Sequence, residues 1–263
     1  MCPRPSCEVT FAVSGDAYDR YMGRYSSRLA PALADFAGIK SGVRTLDVGC
    51  GPGALTEELA RRVGNESVYA ADPSESLVAA CAERVPGADI RLARAETLPW
   101  PADAVDAALA QLVVNFLEDP VAGVAEMRRI VRPDGVVAAC TWDYSGEMRM
   151  LRTFWDAALI LDPDAPDEGR TMRYQDPNDL AALWRECMLG QVQTAPLEVE
   201  AEYAGFDDYW EPFLSGTGPG GAYCASLEPE HQVALREECR RRLGDPQGPF
   251  TLGARAWAVR GRV

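Results

Sequence analysis

Lysine is almost missing from this chain. Lys40 is the only one among 263 residues, His231 is the only histidine, and 26 Lys and Arg stand against 40 Asp and Glu, for a formal net charge of −14. That acid excess argues against RNA and DNA partners, because a nucleic-acid enzyme needs a basic face to neutralise phosphates. The one basic run, Arg240-Arg241-Arg242, sits beside Glu237 and Glu238 and reads as a solvated helix face. A single imidazole leaves little material for histidine acid–base chemistry, and His231, next to Glu230, reads as a surface residue. The eight cysteines, Cys2, Cys7, Cys50, Cys81, Cys140, Cys187, Cys224 and Cys239, form no Cys-x-x-Cys pair, so no metal site is expected. No apolar run is long enough to cross a bilayer and no secretory stretch opens the chain, which points to a reduced, cytoplasmic protein without a membrane partner. The scarcity of lysine against arginine, alanine and glycine points to a GC-rich, bacterial genome.

What the chain does have is a strand–turn–helix signal. Apolar Leu46-Asp47-Val48 runs into Gly49-Cys50-Gly51-Pro52-Gly53-Ala54 and then into the helical pattern Leu55-Thr56-Glu57-Glu58-Leu59-Ala60. Glycines let a chain turn sharply and let a ligand press on bare backbone, but they do not select the ligand. The neighbours do: Pro52 removes an amide that a pyrophosphate would use, and Asp47 puts a carboxylate at the strand's end. Both suit a ligand with a positive amino group and no phosphate, such as the methionine end of S-adenosylmethionine. A second acid, Asp72 in Val68-Tyr69-Ala70-Ala71-Asp72-Pro73-Ser74, follows where Rossmann-like folds place a ribose-binding carboxylate.

Leu46 to Ala54 resembles the first motif of class I S-adenosylmethionine-dependent methyltransferases of the small-molecule type. Later segments are similar to that family's in the same order: Asp72-Pro73-Ser74, Arg91 to Trp100 on the adenine side, Val105 to Val113 as a fourth strand, and Ile130 to Ala138 as the turn into a fifth. The resemblance covers about residues 40 to 145. It implies S-adenosylmethionine as cofactor, S-adenosylhomocysteine as product, and contacts from Asp47, Gly49, Cys50, Gly51, Asp72, Pro73, Ser74, Ala95, Glu96, Gln111 and Leu112. The chain departs from the family at Arg94-Ala95-Glu96, where many relatives carry an aspartate and a small residue. Ala95 there would let the adenine approach the backbone, while Glu96 is either a polar contact or an exposed helix-start acid.

The expected fold is α/β: a Rossmann-like, seven-stranded mixed sheet with helices on both faces, an N-terminal helical cap and an insertion between strands six and seven. Apolar segments at 44–48, 67–71, 89–92, 105–110 and 135–142 alternate with helices from 54 and from 74. Further helices are expected at 146–161, 176–188 and 229–243, and strands at 191–203 and 252–259, the last antiparallel. The length fits a single methyltransferase domain over 1–263, with a cap at 1–40, a cofactor-binding core at 41–145 and a substrate-side half at 146–263 that carries the insertion 203–245. Tyr18, Tyr21, Met22 and Tyr25 share one face of a helix beginning near Ser14. That stripe either packs on the core or closes over the cofactor, with Tyr21 and Arg24 reaching the methionine carboxylate. The Asp- and Pro-rich stretch 162–169 reads as an exposed polar loop.

Methyl transfer from a sulfonium is an in-line displacement that gains from alignment and does not require a base. Asp143 and Tyr144, after strand five, and Tyr18 and Asp19, near the cap, are the base candidates, with a helix-capping role equally open for Asp143. The expected acceptor is a small, partly apolar or aromatic molecule, a peptide being the alternative, methylated on O, N or C. Two other classes stay open: a non-catalytic S-adenosylmethionine-binding protein and, disfavoured by Asp47 and Pro52, a dinucleotide-dependent oxidoreductase. Phe206, Tyr209, Trp210 and Phe213 ahead of Ser215-Gly216-Thr217-Gly218-Pro219-Gly220-Gly221 suggest a mobile lid on the acceptor, hinged at Gly216 to Gly221.

Overall fold

A computed structural model describes residues 19–263. Tyr18 and the start of the helix expected from Ser14 lie outside the described residues. A π-helical turn, Asp19–Gly23, leads into α1 (Arg24–Ala37), which ends on Gly38 in the left-handed conformation. Tyr25, Leu29, Ala30, Leu33, Ala34 and Ala37, at helical spacing, face inward and are buried.

Next come β1 (Thr45–Val48), α2 (Ala54–Val63), β2 (Val68–Asp72), α3 (Glu75–Arg84), β3 (Asp89–Leu92), β4 (Val105–Gln111), α4 (Pro120–Ile130) and β5 (Val131–Trp142). After them follow α5 (Arg149–Leu161), a single turn α6 (Glu168–Thr171), α7 (Pro177–Glu186), β6 (Gly190–Tyr203), α8 (Phe206–Leu214), α9 (Gly218–Ser226), α10 (Pro229–Arg242) and β7 (Phe250–Arg262). The seven strands form one sheet in the order β3-β2-β1-β4-β5-β7-β6. The first five run parallel, and β7 lies antiparallel between β5 and β6. The expected Rossmann-like mixed sheet with its antiparallel last strand is therefore present.

The central strands are continuous apolar runs because both faces are covered: all four residues of β1 are buried, and its neighbour β4 is buried through Ala107-Ala108-Leu109-Ala110. The outer strand β6 instead alternates, exposing Glu198, Glu200 and Glu202, and carries Pro196 on an edge where a missing N–H is tolerated.

Three expectations need correction. Strand five starts at Val131 rather than 135, because Pro133-Asp134-Gly135 forms a bulge within it, with the register to β4 jumping from Val105↔Val131 to Ala107↔Val136 and Asp134 at φ 65°. The loop 162–169 is not wholly exposed, since Asp167 and Glu168 at its end are buried. The glycine run is not a hinge either: from Gly218 it is the first turn of α9, with Pro219 at its start. At Gly221 a Cβ would meet the Gly216 carbonyl carbon at 2.9 Å, so this glycine serves close packing.

The aromatics ahead of that run are core. Phe206, Tyr209, Trp210 and Phe213 are all buried; Phe213 stacks on Phe154 of α5 at 4.3 Å, and the Tyr209 hydroxyl donates to the Met150 carbonyl at 3.1 Å. They pin α8 to α5, which removes them as a mobile lid.

Candidate cofactor and acceptor clefts

The glycine turn sits where β1 meets α2, at the carboxyl end of the sheet. Gly49 has φ 71°, and a Cβ there would fall 2.4 Å from Val113 Cγ2, so both conformation and space demand glycine. The turn uses its own amides. Gly49 and Cys50 both donate to the Ala71 carbonyl (2.7 and 3.0 Å), Gly51 donates to Asp72 Oδ2 (3.0 Å), Gly53 donates to the Cys50 carbonyl (3.0 Å), and Pro52 has no N–H. Asp72 Oδ1 also accepts from the Ser74 amide at 2.9 Å. A pyrophosphate would have to compete with all of these bonds.

A cleft of about 300 Å³ opens beside this turn, lined by Ser26, Asp47, Gly49, Cys50, Gly51, Pro52, Ala54, Leu55 and Gln111. Asp47 is fully buried; Thr56 Oγ1 donates to its Oδ2 at 2.7 Å. Burial pushes its carboxyl up to about 7, against the pull of the Thr56 bond and with a further push from Asp72. Burial also raises the Asp72 carboxyl, although the Ser74 and Gly51 amides hold it back. Three buried polar atoms of this cleft, Asp47 Oδ1, Gln111 Oε1 and Ser26 Oγ, have no hydrogen-bond partner among the described residues. Gln111 is held in place by its other end, Nε2 donating to the Ser26 carbonyl at 3.1 Å.

A second cleft, about 450 Å³, has Leu112 in its wall, the residue that follows Gln111 of the first. Tyr21, Met22, Leu112, Phe116, Trp142, Tyr144, Leu151, Glu168, Thr217, Gly218 and Pro219 line it. Its walls are mostly aromatic and aliphatic, and the Tyr144 hydroxyl accepts from Asn115 Nδ2 at 3.3 Å.

The expected site residues divide accordingly. Asp47, Gly49, Cys50, Gly51 and Gln111 line the first cleft, with Asp72, Pro73 and Ser74 just behind the turn. Tyr21 and Leu112, expected beside the cofactor, line the second cleft together with Tyr144. Ala95 and Glu96 form a turn after β3; Glu96 pairs with Arg94 at 3.5 Å and accepts from the Asp119 amide at 3.4 Å. It is neither a helix start nor an exposed acid.

Two expected residues are placed elsewhere. Arg24 is clamped by Asp208 (2.7 and 3.1 Å), donates to the Glu202 carbonyl at 2.9 Å and lies 4.3 Å over the Tyr203 ring, so its guanidinium ties α1 to the insertion instead of lining the cleft. Asp143 is buried against Arg255 (2.6 Å) and Ser145 (2.7 Å), pinning the β5 exit to β7, and lines neither cleft. Sequence reasoning missed Ser26, Thr56, Trp142, Glu168 and Thr217. Only Thr56, one turn into the helix after the motif, carried a local signal, since its helical position faces back toward Asp47.

Residues 46–139 match the family described as "Methyltransferase domain". An uncharacterized methyltransferase of Schizosaccharomyces pombe is 29% identical over 154 residues, covering 51% of this chain and 55% of that protein. The malonyl-[acyl-carrier protein] O-methyltransferase of Salmonella typhimurium is 36% identical over 112 residues, 43% of each chain. This chain thus spans about half the length of the curated relatives it matches. Among solved structures, a putative type II methyltransferase from Anaeromyxobacter dehalogenans shares the fold with a TM-score of 0.62 at 23% identity, over 90% of this chain and 95% of its own. Residues 46–139 thus carry a methyltransferase domain, and the chain has the fold of the putative methyltransferase from Anaeromyxobacter dehalogenans.

Among the described residues no group of His, Cys, Asp and Glu could hold a metal ion, and no helix is long and apolar enough to cross a membrane.

Proposed function

We propose that this protein transfers a methyl group from S-adenosylmethionine to an O, N or C atom of a small, partly apolar or aromatic acceptor by in-line displacement. The observation that carries the reading is the set of unpartnered buried atoms in the first cleft. Asp47 Oδ1 and Gln111 Oε1 are acceptors, and Ser26 Oγ can accept, so the three together suit a ligand ammonium, which brings three donors. A glycine turn whose amides are already engaged suits a ligand without a phosphate.

In this reading Asp47, Gln111 and Ser26 hold the amino acid end of the cofactor. Asp72 has lone pairs left beyond its two backbone bonds and holds the ribose hydroxyls, with Pro73 and Ser74 shaping that corner. The turn at Ala95 and Glu96 flanks the adenine. When bound, S-adenosylmethionine supplies an electrophilic methyl on a sulfonium. The protein's part is then alignment: Leu112 and Met22 line the second cleft, next in sequence or one turn from Gln111 and Ser26 of the first, and the second cleft's aromatic walls fix the acceptor and exclude water. Tyr144, whose hydroxyl accepts from Asn115, is among the hydroxyls that line the cleft.

Calorimetry with S-adenosylhomocysteine, NAD and NADP tests the cofactor. Saturable binding of S-adenosylhomocysteine alone is expected, and tighter binding of either dinucleotide overturns the reading. Methyl incorporation across a panel of small acceptors separates an enzyme from a non-catalytic binder, for which every acceptor would stay unmethylated.

A further inference from the structure

Among the described residues the second cleft contains one ionisable carboxyl, and its placement is unusual. Glu168 opens the single-turn α6 after a proline-rich loop, is 3% exposed, and lines a cleft whose other walls are aromatic, aliphatic or neutral. Its Oε2 accepts from the indole N–H of Trp155 at 2.7 Å, its one side-chain hydrogen bond among the described residues. A carboxylate can take about four such bonds, and an acid left this short of donors in an apolar surround is costly unless a ligand completes it.

The flanking charges do not neutralise it. Arg152 of α5 gives both its terminal nitrogens to Asp167 (2.9 and 3.1 Å) and its Nε to Asp156 (2.9 Å), and Arg170 also faces Asp167. From the other walls, among the described residues, only the phenols of Tyr21 and Tyr144 belong to titratable groups. No arginine or lysine lines the cleft among the described residues, so none of these would offer an anionic acceptor a compensating cation beside Glu168.

Resting on the methyltransferase reading above, we propose that Glu168 is the acceptor-recognition group: the cleft takes a flat, largely apolar molecule through one hydroxyl donated to Glu168 Oε1. Burial, helped by Asp167 and opposed by the Trp155 bond and Arg152, holds this carboxyl up at about 7. The anchor therefore strengthens as pH rises through that value, because the ionised form is the better acceptor.

The test uses the protein loaded with S-adenosylhomocysteine and three probes of one shape: 1-naphthol, 1-methoxynaphthalene and 1-naphthoate. At about pH 8, 1-naphthol is expected to bind saturably and at least roughly tenfold tighter than the other two, as the loss of one charge-assisted hydrogen bond predicts. Glu168→Gln is the matched variant. The Trp155 N–H draws the amide oxygen to its own side, so the amide NH₂ takes the place of Oε1 and offers a donor where an acceptor stood. The preference for 1-naphthol over 1-methoxynaphthalene should vanish or reverse, while S-adenosylhomocysteine affinity stays within about twofold. No saturable 1-naphthol binding by the parent protein, equal binding of the three probes, or an unchanged preference in Glu168→Gln overturns the proposal. Calorimetry with S-adenosylhomocysteine is read separately on both proteins: its failure strikes the cofactor reading, and the probe preference is then read on the unloaded protein.

Discussion

Asp47 is the residue through which pH should control cofactor binding. Its carboxyl is fully buried and titrates at about 7, yet one of its oxygens lacks a partner in the cleft that suits a ligand ammonium. Seating a cation there requires the ionised form. A group with a pKa of about 7 is about nine-tenths ionised at pH 8 and about one-tenth at pH 6, so affinity for S-adenosylhomocysteine should fall about tenfold across that interval, ~1.4 kcal/mol. Titration calorimetry at both values, in buffers of differing ionisation enthalpy, should also detect proton release on binding near pH 7. In the unliganded protein the linkage has the opposite sense. Native Asp47 keeps its proton up to about pH 7 whereas the unfolded chain loses it near pH ~4, so the native state binds more protons over that window and stability falls as pH rises through it. Glu168 acts in the same direction. Asp47→Asn, which mimics the neutral acid, should bind S-adenosylhomocysteine more weakly at pH 8, lose the pH slope in affinity, and recover at most ~4 kcal/mol of stability at that pH. A flat affinity between pH 6 and pH 8 in the parent protein, or an undiminished slope in Asp47→Asn, would refute the assignment.

Asp72→Ala removes the acceptor for the Gly51 and Ser74 amides as well as the proposed ribose contact, and should weaken S-adenosylhomocysteine binding by about 2–4 kcal/mol by calorimetry with the fold retained in circular dichroism. Trp210→Ala should cost about 3–5 kcal/mol of stability in denaturant melts without selectively impairing acceptor kinetics, since Trp210 packs between α8 and α5; a selective kinetic defect at unchanged stability would revive the lid. Asp143→Ala should lower stability by about 1–3 kcal/mol by releasing Arg255 and Ser145, with S-adenosylhomocysteine affinity unchanged.

Much of the sheet and turn between residues 41 and 145 was legible because its determinants are local. A parallel strand buried on both faces reads as an apolar run, its carboxyl end is where open α/β sheets bind ligands, and the residues at those ends, Asp47, Asp72 and Gln111, follow from strand boundaries alone. The same logic misled where a side chain finds its partner across the fold. Arg24 meets Asp208 and Asp143 meets Arg255, pairs more than a hundred residues apart that no spacing rule reports. The glycine run looked like a hinge because composition records permissiveness, whereas in the fold those small residues let α9 approach Tyr21 and the preceding turn. Glu168 was hidden in a segment whose Asp and Pro content signals exposure, and only the tertiary placement of Trp155 makes it a buried acid.

The two clefts are not independent compartments. Met22 lies in the π-helical turn and Ser26 four residues on in α1, Gln111 ends β4 and Leu112 follows it, and in each pair one residue lines the first cleft and the other the second. Gln111 also donates to the Ser26 carbonyl, which joins the two pairs across the boundary. A ligand that completes Asp47 Oδ1, Gln111 Oε1 and Ser26 Oγ therefore fixes the backbone that carries Met22 and Leu112 into the acceptor cleft. Leu112 has φ 64°, and its backbone N–H donates a hydrogen bond to the Cys140 carbonyl at 2.9 Å. Its strained backbone is explained by position: the chain must leave β4 sharply enough to give Gln111 to one ligand and the next side chain to the other. If the proposed cofactor and acceptor sites hold, reciprocity requires that an acceptor gaining from this ordering tighten the cofactor by the same factor, which calorimetry with S-adenosylhomocysteine in the presence and absence of 1-naphthol would read.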